Sequence, residues 1–264
     1  MLVLLVATLF PGTIALAPEP EPPKPLIQIE VREIGALGLP KRAPVEDGFF
    51  DDTLFIGDSV TKKLELYVRE KRKSEPNLLG NARFYSAASL GSGNLQNPVS
   101  RKSIHPKING QKMLPEDAVA ACGAKKLYIM LGMNDIAIYG IEGSVDNMMA
   151  LIDKVRAQSP DVQIYVQSVT PRLKGYNQKM LNNANIERYN QLLCETIESS
   201  GLENIWFLDV ASVFRGADGS LQRTYCSDPH DQGIHFTDAA CDIWIEYLYT
   251  HTANTDSLQE DTQP

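Results

Sequence analysis

The chain has 264 residues, of which 43% are apolar and 22% are charged. These values are typical of a folded globular domain, and they exclude a chain that is disordered throughout, a collagen-like repeat and a multi-span membrane protein. Because 25 Lys and Arg residues stand against 33 Asp and Glu residues, the formal charge is -8 and no nucleic-acid partner is expected.

The first 45 residues differ from the rest in composition. Residues 1–17 are apolar and uncharged, a length that suits a signal peptide or N-terminal anchor better than a bilayer span of about 20 residues. Residues 18–45 form a linker whose Pro-rich start favours a semi-rigid extended spacer. We therefore predict an exported protein, extracellular or membrane-anchored and facing outside, that contacts a membrane only through its N-terminal segment.

Residues 46–251 form the predicted catalytic domain, in which short β-rich runs alternate with longer amphipathic stretches. Its first half predicts, in chain order, a strand over 53–56, a helix over 60–73, a strand over 83–86, an irregular stretch over 90–110 and a helix over 115–121. Its second half predicts strands over 126–131, 163–169 and 205–209, which alternate with helices over 144–158, 183–200 and 237–250. Residues 252–264 are polar and are predicted to be a disordered tail.

The helices between consecutive strands predict parallel strand pairing, because a parallel connection needs a dozen or more residues. The expected fold class is therefore α/β, a three-layer α/β/α sandwich built on a five-stranded parallel sheet. In such sheets ligands collect at the carboxyl ends of the strands. The residues that follow each predicted strand are thus the candidates for chemistry.

Four candidates follow from this rule. Ser59 lies at a strand-to-helix turn, where a hydroxyl is exposed and the main-chain amide meets the positive end of the helix dipole. His235 precedes the last helix and can act as a base for that hydroxyl. The Gly91 amide and the Asn134 side chain can both donate to a negative oxygen, whereas Asp135 is expected to tie down its loop.

Four segments in chain order carry a family resemblance: FIGDSVT at 55–61, the turn at Gly91, LGMND at 131–135 and GIHFT at 233–237. They resemble the sequence blocks of the SGNH hydrolases, also called the GDSL esterase/lipase family. The resemblance implies a flavodoxin-like SGNH hydrolase fold and a serine esterase without a cofactor. It implies Ser59 as nucleophile, His235 as general base, and an oxyanion hole made of the Ser59 amide, Gly91 and Asn134.

One position departs from the family pattern. The family places an aspartate three residues before the histidine, and this chain has Gln232 there. Asp228 and Asp231 lie seven and four residues before His235, and we favour Asp228, because Pro229 starts the loop in an extended conformation. Two alternatives stay open: Asp231, or a Ser-His dyad whose ring is held by Gln232 or by a main-chain carbonyl.

The four cysteines suit an exported chain without requiring disulfide bonds. A bridge between Cys226 and Cys241 would close a loop of about 15 residues around the site, and the alternative is that the cysteines are small buried apolar residues. No Cys or His spacing typical of zinc occurs in the sequence, so no metal is expected. Tyr139 and Tyr176 are predicted to pack near the cleft, with stacking on a sugar as the alternative.

The predicted activity is hydrolysis of short acyl esters, acetyl esters above all, through an acyl-enzyme on Ser59. The expected partner is a small-molecule or carbohydrate ester of the cell envelope or the environment. One alternative is an O-acyltransferase of the same fold, in which a sugar hydroxyl replaces water. The other is a non-catalytic carbohydrate-binding protein of the envelope, which the unexpected Gln232 motivates.

Overall fold

A computed structural model describes residues 37–176 and 178–253. The predicted signal or anchor segment, residues 1–17, lies outside the described residues, as do residues 18–36 and 254–264. The described end of the predicted linker lies against the domain. There the amides of Leu39, Arg42 and Val45 donate to main-chain carbonyls of Phe207, Thr250 and Tyr249.

Five parallel strands form the central sheet, and a short hairpin stands apart from it. The sheet contains β1 (Thr53–Gly57), β2 (Arg83–Ser86), β5 (Lys126–Met130), β6 (Gln163–Gln167) and β7 (Ile205–Leu208), and the hairpin contains β3 (Lys107–Ile108) and β4 (Gln111–Lys112). The strand order is β2-β1-β5-β6-β7. The chain passes from β1 to β2 on one side, and every later strand of the sheet lies on the other side of β1. The order therefore reverses between β1 and β5, and such a switch point is the usual place for a ligand in these sheets.

Helices cover both faces of the sheet. They are α1 (Ser59–Lys71), α2 (Pro115–Cys122), α3 (Ile136–Gln158), α4 (Asn183–Ser199) and α5 (Asp238–Thr250). The apolar faces of α1 and α5 pack on one side, and those of α2, α3 and α4 pack on the other. This confirms the predicted three-layer α/β/α sandwich.

The three inner strands are buried on both faces over nearly their whole length, as expected for a parallel sheet between two helical layers. All five residues of β1 are buried. On the side of α1 and α5, each strand contributes one ring to an aromatic row that crosses the whole sheet, with neighbouring centroids 5.1, 5.0, 4.5 and 5.1 Å apart. In order across the sheet, the aromatic row consists of Phe84, Phe55, Tyr128, Tyr165 and Trp206.

Two stretches differ from the sequence prediction by more than two residues. The stretch over 90–110 is not wholly irregular, because it leads into the hairpin of β3 and β4, whose turn residues Asn109 and Gly110 have φ values of 52° and 83°. That backbone suits a tight hairpin turn, for which Asn-Gly is a strong signal. Helix α3 begins at Ile136 and not at Ser144, and Gly140, with φ 72° and ψ -176°, interrupts it. This interruption hides the first helical turns from a search for periodicity.

Cys226 and Cys241 do not form the disulfide bond that the sequence left open. The Cys226 thiol lies 3.3 Å from Asp228 Oδ1 and donates to it. Cys241 is buried in the apolar face of α5. Both cysteines therefore follow the alternative, in which they are small buried residues.

Neither a membrane-spanning helix nor a metal-binding cluster occurs in the part of the chain that the structure describes. In residues 37–176 and 178–253, every helix is too short or too polar to span a bilayer. In the same residues, no group of at least 3 His, Cys, Asp or Glu side chains could hold a metal ion.

Candidate active site

The structure brings Ser59, His235 and Asp228 together beyond the carboxyl end of β1. His235 Nε2 lies 3.1 Å from Ser59 Oγ, and His235 Nδ1 lies 2.7 Å from Asp228 Oδ2. An ionised carboxylate only accepts hydrogen bonds, so Nδ1 carries the ring hydrogen and Nε2 presents its lone pair to the Ser59 hydroxyl. The three side chains form one hydrogen-bonded Ser-His-Asp chain.

The turn between β1 and α1 positions Ser59. Asp58 caps the helix, because its Oδ1 accepts from the Val60 amide at 2.9 Å. Gly57 allows the turn to close, since a Cβ there would lie only 1.9 Å from Thr61 Oγ1. Ser59 is therefore the first residue of α1, with its main-chain amide at the positive end of the helix dipole.

Asp228 is held by several donors besides the His235 ring. Its Oδ1 accepts from the main-chain amides of Ile234 at 3.0 Å and His235 at 2.9 Å, and from the Cys226 thiol. Burial alone would raise the pKa of Asp228, but the hydrogen bonds, led by that of the His235 side chain, bring it below its ordinary value. Asp228 is therefore ionised at neutral pH and can fix the tautomer of the ring.

Asp231 and Gln232, the alternatives to Asp228, point elsewhere. Both residues are exposed, and within the described residues neither side chain hydrogen-bonds to His235. The chain reverses between Asp228 and His235, because the Asp231 and Gly233 amides both donate to the Asp228 carbonyl, at 3.1 and 3.2 Å. This reversal lets a carboxylate seven residues before the histidine reach its ring.

The two other candidate oxyanion donors are directed at internal acceptors. Asn134 Nδ2 donates to Asp58 Oδ2 at 3.3 Å and to the Leu90 carbonyl at 3.0 Å. The Gly91 amide donates to Asn94 Oδ1 at 3.0 Å. Through Asp58, which caps the helix of Ser59, the Asn134 amide is tied to the turn that carries the hydroxyl.

Asp135 ties down the turn after Gly91, as the sequence predicted. Its two carboxylate oxygens accept from the amides of Ser92 at 3.0 Å and Gly93 at 2.8 Å. Burial raises the pKa of Asp135, and these amides oppose the rise. The Gly93 amide therefore donates to Asp135, whereas the Gly91 amide makes no bond to this carboxylate.

Asp58 has a second role that the sequence did not reveal. It is 2% exposed, and its Oδ2 accepts from Asn134 while its Oδ1 caps α1. Burial raises the pKa of Asp58 to about 6 against the lowering effect of the Val60 amide, and the charge of Asp135 adds to the rise. A titrating carboxyl group thus lies between the serine turn and the asparagine.

The Ser59–His235 pair opens into a cleft of about 440 Å³, a size that suits a small-molecule site. Apolar and polar side chains line it together: Lys62, Lys63, Leu66, Ala88, Ser227, Phe236, Thr237 and Asp238. Lys63 and Asp238 form an ion pair between α1 and α5. Most of the surface that these side chains present to the cleft is apolar, which suits a small apolar group of a ligand.

The two tyrosines that the sequence placed near the cleft differ in their surroundings. Tyr139 is 43% exposed, and its ring packs so closely on Gly93 that a Cβ there would lie 2.3 Å from it. Tyr176 packs against the histidine loop, where its hydroxyl donates to the Pro229 carbonyl at 2.7 Å. Tyr176 thus has the packing role that the sequence predicted, and it supports the loop between Asp228 and His235.

The chain is similar to known proteins in sequence and in fold. The model of the GDSL-like Lipase/Acylhydrolase family matches residues 55–243. A GDSL-like lipase from Bacteroides thetaiotaomicron VPI-5482 aligns with a TM-score of 0.54 at 14% identity, over 76% of this chain and 86% of that one. No curated protein matches the chain.

Two further solved structures are similar. A carbohydrate esterase of family 3 from Talaromyces cellulolyticus aligns with a TM-score of 0.51 at 15% identity, over 74% of this chain and 93% of that one. The acetyl xylan esterase AlAXEase aligns with a TM-score of 0.51 at 11% identity, over 75% of this chain and 97% of that one. At these identities the likeness shows a shared fold.

Proposed function

The chain belongs to the GDSL-like lipase/acylhydrolase family and is a carboxylic ester hydrolase; on that premise we propose that Ser59 is its nucleophile, His235 its general base and Asp228 the acid that orients the base. One observation carries this proposal. It is the continuous hydrogen-bonded chain from Ser59 Oγ to His235, at 3.1 Å, and from His235 to Asp228, at 2.7 Å, at the wall of a cleft.

The reaction proceeds through an acyl-enzyme. Ser59 Oγ attacks the ester carbonyl carbon while His235 Nε2 takes the hydroxyl hydrogen, and the Asp228 carboxylate stabilises the imidazolium that results. His235 returns this proton to the leaving alcohol as the carbonyl–oxygen bond breaks, and the acyl group stays on Ser59. Water then attacks the acyl-enzyme with the same base, which releases the acid and restores Ser59.

The negative oxygen of the tetrahedral intermediate binds to the amides of Ser59 and Gly91 and to Asn134 Nδ2. The Gly91 amide faces Asn94 Oδ1 and the Asn134 amide faces the Leu90 carbonyl, and both of these acceptors are neutral. A charged oxygen is the stronger acceptor, so it displaces these bonds as it forms. The bond from Asn134 to Asp58 keeps the amide oriented during the exchange.

The proposed substrate is a short acyl ester, above all an acetyl ester, of a carbohydrate. The mostly apolar surface of the 440 Å³ cleft supports a short acyl group. The shared fold of a carbohydrate esterase and an acetyl xylan esterase supports a carbohydrate as the alcohol. Export is part of the proposal, on the strength of the apolar run at 1–17 and the Pro-rich tract after it.

Covalent labelling tests the nucleophile. An organophosphonate should label the wild-type protein at Ser59, and mass spectrometry of the labelled peptide locates the adduct. The Ser59→Ala variant should lose both labelling and hydrolysis of p-nitrophenyl acetate. Ser199→Ala, at the exposed end of α4, is the matched control and should keep both. Undiminished labelling of Ser59→Ala would overturn the assignment.

Product analysis separates hydrolysis from acyl transfer. With an acetylated sugar as donor and an oligosaccharide as possible acceptor, hydrolysis predicts that free acetate equals the donor consumed. Acetylated oligosaccharide in place of acetate would instead assign the chain as an O-acyltransferase of the same fold.

A further inference from the structure

The loop of residues 228–235 carries both the carboxylate and the imidazole of the site, yet its tip is open to solvent. His230, Asp231 and Gln232 are exposed. Within the loop, main-chain bonds to the Asp228 carbonyl close the turn, at 3.1 and 3.2 Å. These bonds leave the carbonyl oxygens at positions 229, 232 and 233 available to donors from outside the loop.

One short segment, residues 172–176 after β6, supplies those donors, and we call it the clamp segment. Its Arg172 Nη2 donates to the carbonyl of Gln232 at 2.9 Å, and its Tyr176 hydroxyl donates to that of Pro229 at 2.7 Å. The amide at position 173 donates to the carbonyl at position 233 at 2.7 Å. The clamp segment therefore holds the exposed tip of the loop at both ends.

The clamp segment is itself anchored in the fold. Asn183, the first residue of α4, accepts from the Arg172 amide at 2.7 Å and donates to the Arg172 carbonyl at 2.9 Å. The Arg172 side chain is buried, with the residue 1% exposed, and its Nη1 donates to the Leu181 carbonyl at 3.0 Å. These bonds connect the histidine loop, through the clamp segment, to the start of α4.

The loop and the clamp segment pack closely at Gly233. Gly233 has a φ of 68°, and a Cβ there would lie 2.7 Å from the Tyr176 ring and 2.9 Å from Leu173 Cβ. The Arg172 guanidinium lies 5.5 Å from the centre of the same tyrosine ring. Arginine and tyrosine thus support one another as well as the loop.

The Arg172 charge also acts on the site. Burial lowers the pKa of Arg172, and the negative charge of Asp228 opposes that lowering. The opposite charges of Arg172 and Asp228 therefore attract each other, although no direct hydrogen bond joins the two side chains among the described residues.

From these contacts we propose that Arg172 and Tyr176 are positioning residues, which hold Asp228 and His235 at hydrogen-bonding distance from each other and from Ser59. The inference deepens the proposed function and rests on it, because it concerns the same Ser-His-Asp chain. Displacement of catalytic groups by about 1 Å can cost up to about 100-fold in rate. Neither residue needs to touch the substrate to have such an effect.

The Tyr176→Phe variant tests the tyrosine, because it removes only the hydroxyl and keeps the ring against Gly233. We expect kcat for p-nitrophenyl acetate to fall about 3- to 10-fold, with KM changed less than about 2-fold. Tyr85→Phe is the matched control. It removes a hydroxyl that donates to the Met113 carbonyl at 2.6 Å, far along the chain from the loop, and kcat should not change.

A pair of substitutions tests the arginine. Arg172→Lys keeps the charge but loses the planar fork that reaches both Gln232 and Leu181, whereas Arg172→Gln loses the charge as well. We expect kcat to fall about 10-fold in Arg172→Lys and further in Arg172→Gln, again with KM little changed. If Arg172→Gln does not fold, the lysine and Tyr176→Phe variants still decide the proposal.

Proton NMR gives a readout that does not depend on turnover. The hydrogen between His235 Nδ1 and Asp228 should resonate far downfield in the wild type and in Tyr85→Phe. It should broaden or disappear in Tyr176→Phe and Arg172→Lys, because a loosened loop exchanges it with water.

The outcomes separate this inference from the proposed function. Unchanged kcat and an unchanged downfield signal in Tyr176→Phe and Arg172→Lys would overturn the positioning role, as would an equal loss in Tyr85→Phe. Retained activity in Ser59→Ala would overturn the proposed function instead, whatever the signal of the loop variants.

Discussion

At the scale of single residues, the hydrogen-bond capacity of one imidazole organises the site. A neutral ring donates through one nitrogen and accepts through the other. Asp228 accepts a hydrogen bond from the N–H group at Nδ1, so Nε2 is left to accept one from Ser59. The identity of the acid therefore decides whether the serine has a base in the correct tautomer.

The Asp228→Asn variant should lower kcat on the order of 10⁴-fold, because an amide nitrogen facing Nδ1 favours the tautomer with hydrogen on Nε2. Asp231→Asn is the matched control, an identical change in the same loop on an exposed side chain. It should leave kcat within about 2-fold of the wild type. Steady-state kinetics with p-nitrophenyl acetate measures both, and a larger loss for Asp231→Asn would assign the acid to that residue.

Asp58 makes the stability of the protein depend on pH. Its folded pKa of about 6 is raised from an ordinary 3.8, so its stabilising contribution is complete below about pH 3.8 and is lost as the pH rises through about 6. Asp58→Asn keeps an oxygen for the Val60 amide and removes the titration. The Tm of this variant relative to the wild type should therefore be higher at about pH 8 than at about pH 4.

Thermal unfolding of Asp58→Asn and the wild type across this range checks the sign. A Tm difference that does not vary with pH, or one that grows toward acid, would contradict a raised pKa for the Asp58 carboxyl group.

At the scale of elements, the junction of β1 and α1 determines where the hydroxyl stands. The strand ends at Gly57 and the helix begins at Ser59, so only Asp58 separates them. With Thr61 and the Met130 carbonyl packed against Gly57, the junction has no space for a side chain. The first turn of α1 therefore lies so close to the sheet that position 57 has to be glycine.

Gly57→Ala should destabilise the fold by about 3 kcal/mol and lower kcat, because the added methyl group forces α1 away from β1. A Cβ at this position would lie 1.9 Å from Thr61 Oγ1 and 2.9 Å from the Met130 carbonyl oxygen. Gly48→Ala is the control, since its nearest atom would be 3.7 Å away. Denaturant unfolding and steady-state kinetics should show a loss of stability and of kcat in Gly57→Ala and neither loss in Gly48→Ala.

At the scale of the whole molecule, the aromatic row joins all five strands on one face of the sheet. Ring contacts in register across neighbouring strands stabilise the sheet. Tyr128 lies in the middle of the row and is fully buried, and its hydroxyl has no hydrogen-bond partner among the described residues. The row therefore contains one polar group whose burial is uncompensated.

Tyr128→Phe should raise the free energy of unfolding by about 1 kcal/mol, because it removes an uncompensated buried hydroxyl and keeps the ring stack. Tyr165→Phe is the comparison, since the Tyr165 hydroxyl lies 3.5 Å from Gln163 Oε1 and loses that contact. Chemical denaturation of the two variants should show a gain for position 128 alone. A loss of stability in Tyr128→Phe would contradict an uncompensated hydroxyl.

The order of elements and the candidate serine could be predicted from the sequence for local reasons. Apolar runs and helical periodicity mark strands and helices, and a parallel sheet brings the residues after its strands to one edge. Ser59 was therefore predictable as a residue at that edge. The start of α3 was not, because the break at Gly140 interrupts the periodicity on which the prediction depends.

Sequence alone thus determined the α/β sandwich and the candidates Ser59, Gly91, Asn134 and His235, since these depend on local patterns and on chain order. Only the tertiary structure decided between Asp228 and its alternatives as the partner of the histidine ring, and only it shows that Cys226 and Cys241 form no disulfide bond and that residues 172–176 hold the loop. The reason is physical: such contacts depend on how a loop packs against distant elements, and residue spacing does not encode the direction of a side chain.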